Sequence, residues 1–218
     1  MQDMNLNESY IGDRPDILKL VSGDPNTVLD VGCSVGSLSR SLKNKTNACV
    51  TGIELSSEMA GEAEKYLDKV YTGDAAEIIQ SGALEGQRYD LIIFADLLEH
   101  LIDPWSVLKA STRLLNKDGY VITSIPNIRH LSTIYSLVVK GDWPHRDRGI
   151  HDRTHLRFFT KKTIFELFEQ AGLSIEIVHT NYRIFERPCG INSFAKLLGI
   201  PLLKNYFAFQ YLIKAKTK

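Results

Sequence analysis

Val28-Leu29-Asp30-Val31-Gly32-Cys33-Ser34-Val35-Gly36 is the stretch on which the fold of this chain turns. An apolar strand runs to Val31, glycines turn the chain, and a helix opens at Leu38. Glycine lets a backbone bend sharply and approach a ligand closely, and a helix N-terminus favours negative charge. In open α/β sheets, ligands bind outside the carboxyl ends of the strands. A dinucleotide-binding turn reads G-x-G-x-x-G, whereas Gly32 and Gly36 stand as G-x-x-x-G, which fits a pyrophosphate less well. The alternative is a tight strand-to-helix turn with no ligand.

Outward from this turn, apolar runs alternate with helical patterns, the signature of repeated βαβ units. Strands are expected at 27–31, 48–54, 69–72, 89–95, 120–125, 173–180 and 207–215. Helices open after Gly36, after Ser56 or Ser57, at Asp103-Pro104 and at Thr160, with a short one over 131–139. The last two strands have no long helix between them, which predicts an antiparallel hairpin at the C-terminal edge. The expected fold is therefore α/β: a Rossmann-like, mostly parallel seven-stranded sheet with helices on both faces. A single domain over 1–218 is expected. Residues 127–159 form a connection far longer than the usual 2–6 residues, expected to cover an acceptor site.

Bulk properties narrow the partners. The 218 residues are 44% hydrophobic and 24% charged, and 26 basic residues balance 26 acidic ones. Zero net charge argues against a nucleic acid held by bulk charge. Three cysteines, Cys33, Cys49 and Cys189, form neither a disulfide framework nor a zinc spacing, which suits a reducing, cytoplasmic location. Apolar runs such as 197–203 are too short to span a membrane and leave peripheral membrane contact open. Oligomeric state is not readable.

Two carboxylates follow the next strands. Glu54 ends the second, where an acidic side chain accepts hydrogen bonds from ribose hydroxyls, or is an exposed loop carboxylate. Asp74 follows the third and either meets an adenine amino group or caps the helix starting at Ala75. With VLDVGCSVG, GIELS, GDA, YDLIIFADLLEHLIDP, LLNKDGYVITSIPN and HLRFFTKKTIFELFEQAGL, the chain resembles the class I S-adenosylmethionine (SAM)-dependent methyltransferases over about residues 14–180. It is most similar to the O-methyltransferases of ubiquinone biosynthesis and to relatives of surface-polysaccharide pathways. One departure is Ser34, where the family has glycine.

The resemblance implies a SAM pose. The amino-acid part lies near Asp30, Gly32, Cys33, Ser34 and Gly36, and the ribose at Glu54 and Leu55. The adenine lies near Asp74 and Ala75, and Phe94, Ala95 and Asp96 border the methyl group. Tyr10 and Arg14 close over the cofactor, with Arg14 either pairing with its carboxylate or standing exposed at a helix start. The implied reaction is methyl transfer to a hydroxyl of a small-molecule or glycan-linked acceptor. A quinone or phenol acceptor, or a SAM-binding module acting as a protein-interaction partner, are the alternatives.

A hydroxyl acceptor must lose a proton, and histidine suits that task near neutral pH. His100 follows the fourth strand, and His151-Asp152-Arg153-Thr154-His155 forms a second group. His100, His151 and His155 are the candidate bases, with Asp152 as orienter of a histidine; each is alternatively a packing residue. No metal is assigned, because a mixed His/Asp/His trio on a loop is weak as a ligand set. Trp143, Arg146 and His151 are expected to line the acceptor site.

Overall fold

The computed structural model describes residues 12–186, 190, 192 and 204–218. In chain order the elements are α1 (Pro15–Leu18), β1 (Thr27–Val31), α2 (Ser37–Lys45), β2 (Cys49–Glu54), α3 (Ser57–Ala63), β3 (Lys69–Thr72), α4 (Ala75–Gln80) and β4 (Tyr89–Ala95). They continue with α5 (Pro104–Ser111), β5 (Leu115–Pro126), α6 (Leu131–Ile134), α7 (Lys161–Gln170), β6 (Leu173–Tyr182), α8 (Lys204–Phe207) and β7 (Ala208–Thr217). A π-helical turn, Tyr135–Val139, extends α6.

The seven strands form one sheet in the order β3-β2-β1-β4-β5-β7-β6. The pairs from β3 through β5 are parallel, and β7 runs antiparallel to both β5 and β6. The C-terminal hairpin is thus present, with its last strand inserted between β5 and β6. The reversed direction of β7 places Phe209 and Gln210 at the same sheet end as Pro126.

Alternation along each strand builds two cores, because successive side chains point to opposite faces. Val28, Leu91, Ile93 and Ile122 face one way and pack with Ile17 of α1, Leu38 and Leu42 of α2 and Ala63 of α3. Leu29, Val31, Ile92, Phe94 and Val121 face the other way. They meet Ile79 of α4, Val107 and Leu108 of α5, and Ile164, Leu167 and Phe168 of α7. Caps mark where several helices start. Asp74 accepts from Glu77 N, Asp103 from Ser106 N, and Thr160 shares a reciprocal box with Thr163.

The β1–α2 turn bends through positive φ at Gly32 (76°), Ser34 (50°) and Gly36 (80°). Gly32 N and Cys33 N both donate to Ile53 O, at 2.8 and 3.0 Å, binding the turn to β2. A Cβ on Gly36 would stand 2.8 Å from Leu67 Cδ1 and 3.3 Å from Ala63 Cα, so this glycine serves close packing under α3. Gly52 has the same role within β2, since its Cβ would meet Cys33 Sγ and Leu67 Cδ2 at 2.6 Å each. Ser34 occupies a left-handed position where a side chain costs roughly 1–2 kcal/mol.

Two stability effects follow from these positions. Ser34→Gly is expected to gain about 1 kcal/mol, and Gly52→Ala to lose about 1–3 kcal/mol by overpacking Cys33 and Leu67. Urea unfolding with unchanged m-values measures both, and a neutral Gly52→Ala would show that Cys33 and Leu67 move aside freely.

Candidate active site

The carboxyl ends of β1, β2, β4 and β5 open into a cleft of about 2180 Å³. Asp30, Gly32, Cys33, Ser34, Glu54, Leu55, Ala95 and Asp96 all line it. The β1 alternation that sends Val31 into one core turns Asp30 toward α2, where Ser39 Oγ donates to its Oδ2 at 2.6 Å. Its other oxygen, Oδ1, is buried with no hydrogen-bond partner among the described residues. Burial and the neighbouring Glu54 charge push the Asp30 carboxyl up to about 6, against the opposing hydrogen bond from Ser39. An acceptor in this state is suited to a cationic ligand group.

Glu54 is held from two sides. Ser34 N donates to its Oε2 and Ser56 N to its Oε1, each at 2.9 Å. The carboxylate therefore joins the turn after β1 to the start of α3. Cys33 packs beneath, and burial with the Asp30 and Glu54 charges raises its thiol pKa far above the ordinary value. It is a packing residue rather than a nucleophile.

Across the cleft lies a polar network. Arg14 pairs with Asp96 and, at 3.0 Å, with Asp16. Asp96, itself at positive φ (54°), also accepts from Ser124 Oγ at 2.8 Å and from Gln210 Nε2. Asn181 Nδ2 donates to Asp16 Oδ2 at 2.9 Å and to Gln210 Oε1 at 3.1 Å, which closes the ring. Burial acts to lower the Arg14 pKa, but the two carboxylates prevail and raise it. Arg14 is therefore partly buried, lines the cleft, and is paired with Asp16 and Asp96 in this structure.

Farther along the cleft stand Glu99, His100 and His155. Leu98–His100 is a single 3-10 turn after β4. The 127–159 segment is stitched to it, because Leu156 N and Arg157 N both donate to Glu99 O at 2.9 Å. His155 Nε2 lies 3.9 Å from Glu99 Oε1, and the His100 and His155 rings meet edge to face at 4.6 Å between centroids. Burial lowers both histidine pKa values, although Asp152 opposes this at each, so both rings are neutral at neutral pH. Burial and the Asp96 charge hold the Glu99 carboxyl well above the ordinary range. The sequence pointed to His100 and His155 separately. Glu99 was missed because a buried carboxylate has no signature of its own inside an apolar run.

Several expected site residues stand elsewhere. His151 does not line the cleft. Its side chain is buried against Trp143, with ring centroids 5.3 Å apart, and its Nδ1 faces Glu186 Oε2 at 3.3 Å. Glu186, and not Asp152, is its carboxylate partner; Asp152 Oδ1 accepts from Thr154 N and Oγ1 instead. Burial acts to raise the Glu186 carboxyl, but its hydrogen bond from His151 and the Arg146 charge hold it below its ordinary value. Trp143 likewise packs on Phe158, at 5.0 Å, and does not face the cleft. Arg146 does line it, with Arg148, Arg153 and Arg183.

Phe94 is fully buried in the α5/α7 core, because strand alternation turns it away from the cleft that Ala95 borders. Asp74 spends an oxygen on capping α4, Ala75 is core, and neither borders the cleft; Leu55, Ser57 and Met59 do. Gly36 is also off the wall, under α3. Tyr10, Cys189 and the apolar run at 197–203 lie outside the described residues. Among those described, no helix is long and apolar enough to cross a membrane.

Comparison with known proteins places this architecture. A solved SAM-dependent methyltransferase from Archaeoglobus fulgidus shares the fold with TM-score 0.65 at 18% identity, covering 96% of this chain and 97% of that one. A SAM-dependent methyltransferase from Thermotoga maritima also gives 0.65 at 19% identity, covering 98% and 91%. The ubiquinone biosynthesis O-methyltransferase of Aeromonas salmonicida is 30% identical over 155 residues, 68% of this chain and 63% of that protein. The protein of the same name from Nitrosomonas europaea is 31% identical over 154 residues, 67% and 63%. This chain thus spans less than two thirds of the length of either relative. A family model described as a methyltransferase domain matches residues 7–178, and the chain belongs to that methyltransferase family.

Proposed function

We propose that this protein transfers a methyl group from SAM to a hydroxyl of a small-molecule acceptor. One observation carries the reading: a single cleft joins the Asp30–Glu54 wall to the Glu99–His100–His155 group, with Ala95 and Asp96 between them. The first wall fits the donor. Asp30 offers a buried oxygen without a partner, suited to an ammonium group, and Glu54 stands where ribose hydroxyls would reach it. Leu55, Ser57 and Met59 replace Asp74 and Ala75 as the adenine side. The names of the curated relatives support oxygen as the accepting atom.

The donor supplies a methyl carbon already activated on a sulfonium, so the protein's task is alignment and removal of the hydroxyl proton. Neutral His100 and His155 mark the end of the cleft where that proton leaves. Residues 127–159 act as the acceptor's cover, because Arg146, Arg148 and Arg153 reach the cleft beside Arg183. These arginines favour an acceptor carrying a phosphate or carboxylate. The protein-interaction alternative gives no reason for a cleft with a buried, unpartnered carboxylate oxygen.

Glu54→Ala is expected to weaken SAM binding by about 1–3 kcal/mol, roughly 5- to 150-fold. Calorimetry on a variant whose circular dichroism is unchanged measures this, and unaltered affinity would remove Glu54 from the donor site. Asp30 adds a pH dependence. Its carboxyl titrates at about 6, and only the ionised form attracts a cation. SAM affinity should be greatest near pH 7 and fall toward tenfold per pH unit below 6, with one proton released per SAM bound at low pH. Asp30→Asn should flatten that profile. A wild-type profile already flat from pH 5 to 8 would separate Asp30 from the ligand's ammonium group.

A further inference from the structure

We propose that Arg183 forms a carboxylate-binding subsite in the acceptor part of the cleft, which makes a hydroxy acid the class of acceptor it takes. Arg146, Arg148, Arg153 and Arg183 all line that part. Two of them are already engaged with carboxylates: Arg146 pairs with Glu186, and Arg153 with Asp147 at 2.5 Å. Arg148 is exposed. Arg183 alone of the four is both partly buried and without a carboxylate at ion-pair distance among the described residues.

The side chain is held in one pose. Arg183 follows β6, and its backbone is pinned on both sides: its N donates to Phe207 O at 2.9 Å, and its O lies 2.9 Å from His130 Nε2. His130 Nδ1 accepts from Ser132 N, so Nε2 carries the proton and donates. The guanidinium lies over the Phe209 ring, 4.1 Å from its centroid, and Nη1 donates to Glu186 O at 3.2 Å. A group ordered before its ligand arrives spares binding much of the ordering cost.

These contacts use one face and one end of the guanidinium. Its Nε–Nη2 edge, a pair of parallel N–H donors, has no hydrogen-bond partner among the described residues, and the side chain borders the cleft. A planar fork of this shape matches the two oxygens of a carboxylate.

Charge selects a monoanion. Burial lowers the Arg183 pKa, and the charges of Asp16, Asp96 and Glu186 oppose that shift. The same three carboxylates repel a second negative charge on a ligand. A phosphate dianion would need a further unpaired cation beside Arg183, whereas one bidentate arginine suffices for a carboxylate. Phe209, beneath the guanidinium, adjoins Gln210, which donates to Asp96. The subsite therefore stands beside the Arg14–Asp96 ring and not at the Asp30–Glu54 wall. That the carboxylate belongs to the methyl acceptor rests on the methyl-transfer reading; the subsite itself does not.

The test uses the full chain, with acetate, acetamide and inorganic phosphate as probes at constant ionic strength. The Nε–Hε resonance of Arg183, assigned through its own backbone, should shift saturably with acetate. Half-saturation is expected at roughly 10–100 mM, the range for one bidentate charged pair. Acetamide should leave the resonance in place, and phosphate should need at least about 5-fold more than acetate. Arg183→Gln should weaken acetate binding at least about 10-fold, read on the side-chain amides of Asn181 and Gln210, and Arg183→Lys should recover part of the loss, keeping the charge without the fork. Thermal melting and SAM calorimetry should stay unchanged in both variants. Should a variant fail to fold, the three wild-type titrations decide the matter. No saturable shift up to about 0.5 M acetate would overturn the proposal. So would an equal response to acetamide, phosphate bound as tightly as acetate, or undiminished binding to folded Arg183→Gln. Failure to bind SAM would instead defeat the methyl-transfer reading and leave the acetate result standing.

Discussion

The corner where β1 gives way to α2 is the constraint on which the rest of the structure depends. Gly32 N and Cys33 N share Ile53 O, and Ser34 N is taken by the Glu54 carboxylate. Three alternate positive-φ positions allow this bend within five residues. Once it is made, Asp30 points at α2, the start of α2 lies against Ala63 of α3 and Leu67 through Gly36, and the Asp30–Glu54 wall of the cleft is defined. The strain at Ser34 is offset by its backbone bond to Glu54, so one carboxylate serves both the turn and the cleft.

The opposite wall is organised by charge. Asp96 sits at a left-handed position at the end of β4 and is held by Arg14, Ser124 and Gln210 together. Those partners come from the N-terminal segment, β5 and β7. Insertion of β7 between β5 and β6 is what brings Gln210 there. A ring of this kind fixes geometry more than it adds stability, since pairing partly buried charges returns little beyond their desolvation cost.

The long connection after β5 has two functions in the molecule. Its inner part is structural: Trp143 meets the His151 and Phe158 rings edge to face, and His151 faces Glu186. Its outer part carries Arg146, Arg148, Asp152, Arg153 and His155 to the cleft. Residues two or four apart in sequence therefore take opposite roles, because the loop turns sharply through Gly149, whose Cβ would collide with Glu186 Oε1 at 2.6 Å.

From the sequence alone, the sheet, its helices, the glycine turn and the placement of Asp30, Glu54, Ala95 and Asp96 at strand ends were legible. Alternation and turn chemistry are local, and a parallel strand's carboxyl end is known once its direction is. The burial of Phe94 in the core and the capping of α4 by Asp74 were not readable, because a strand-end position does not say which face a side chain takes or whether a helix cap engages it. His151 was misread because the loop's path depends on Glu186, distant in sequence. The Glu99–His100–His155 group was invisible for the same reason. His155 stands on a segment distant in sequence from Glu99 and His100, and backbone hydrogen bonds from Leu156 and Arg157 to Glu99, with the Thr154–His100 contact, bring them together. Local pattern determined the scaffold and its Asp30–Glu54 wall; long-range packing and the burial of charge decided which histidines face the cleft.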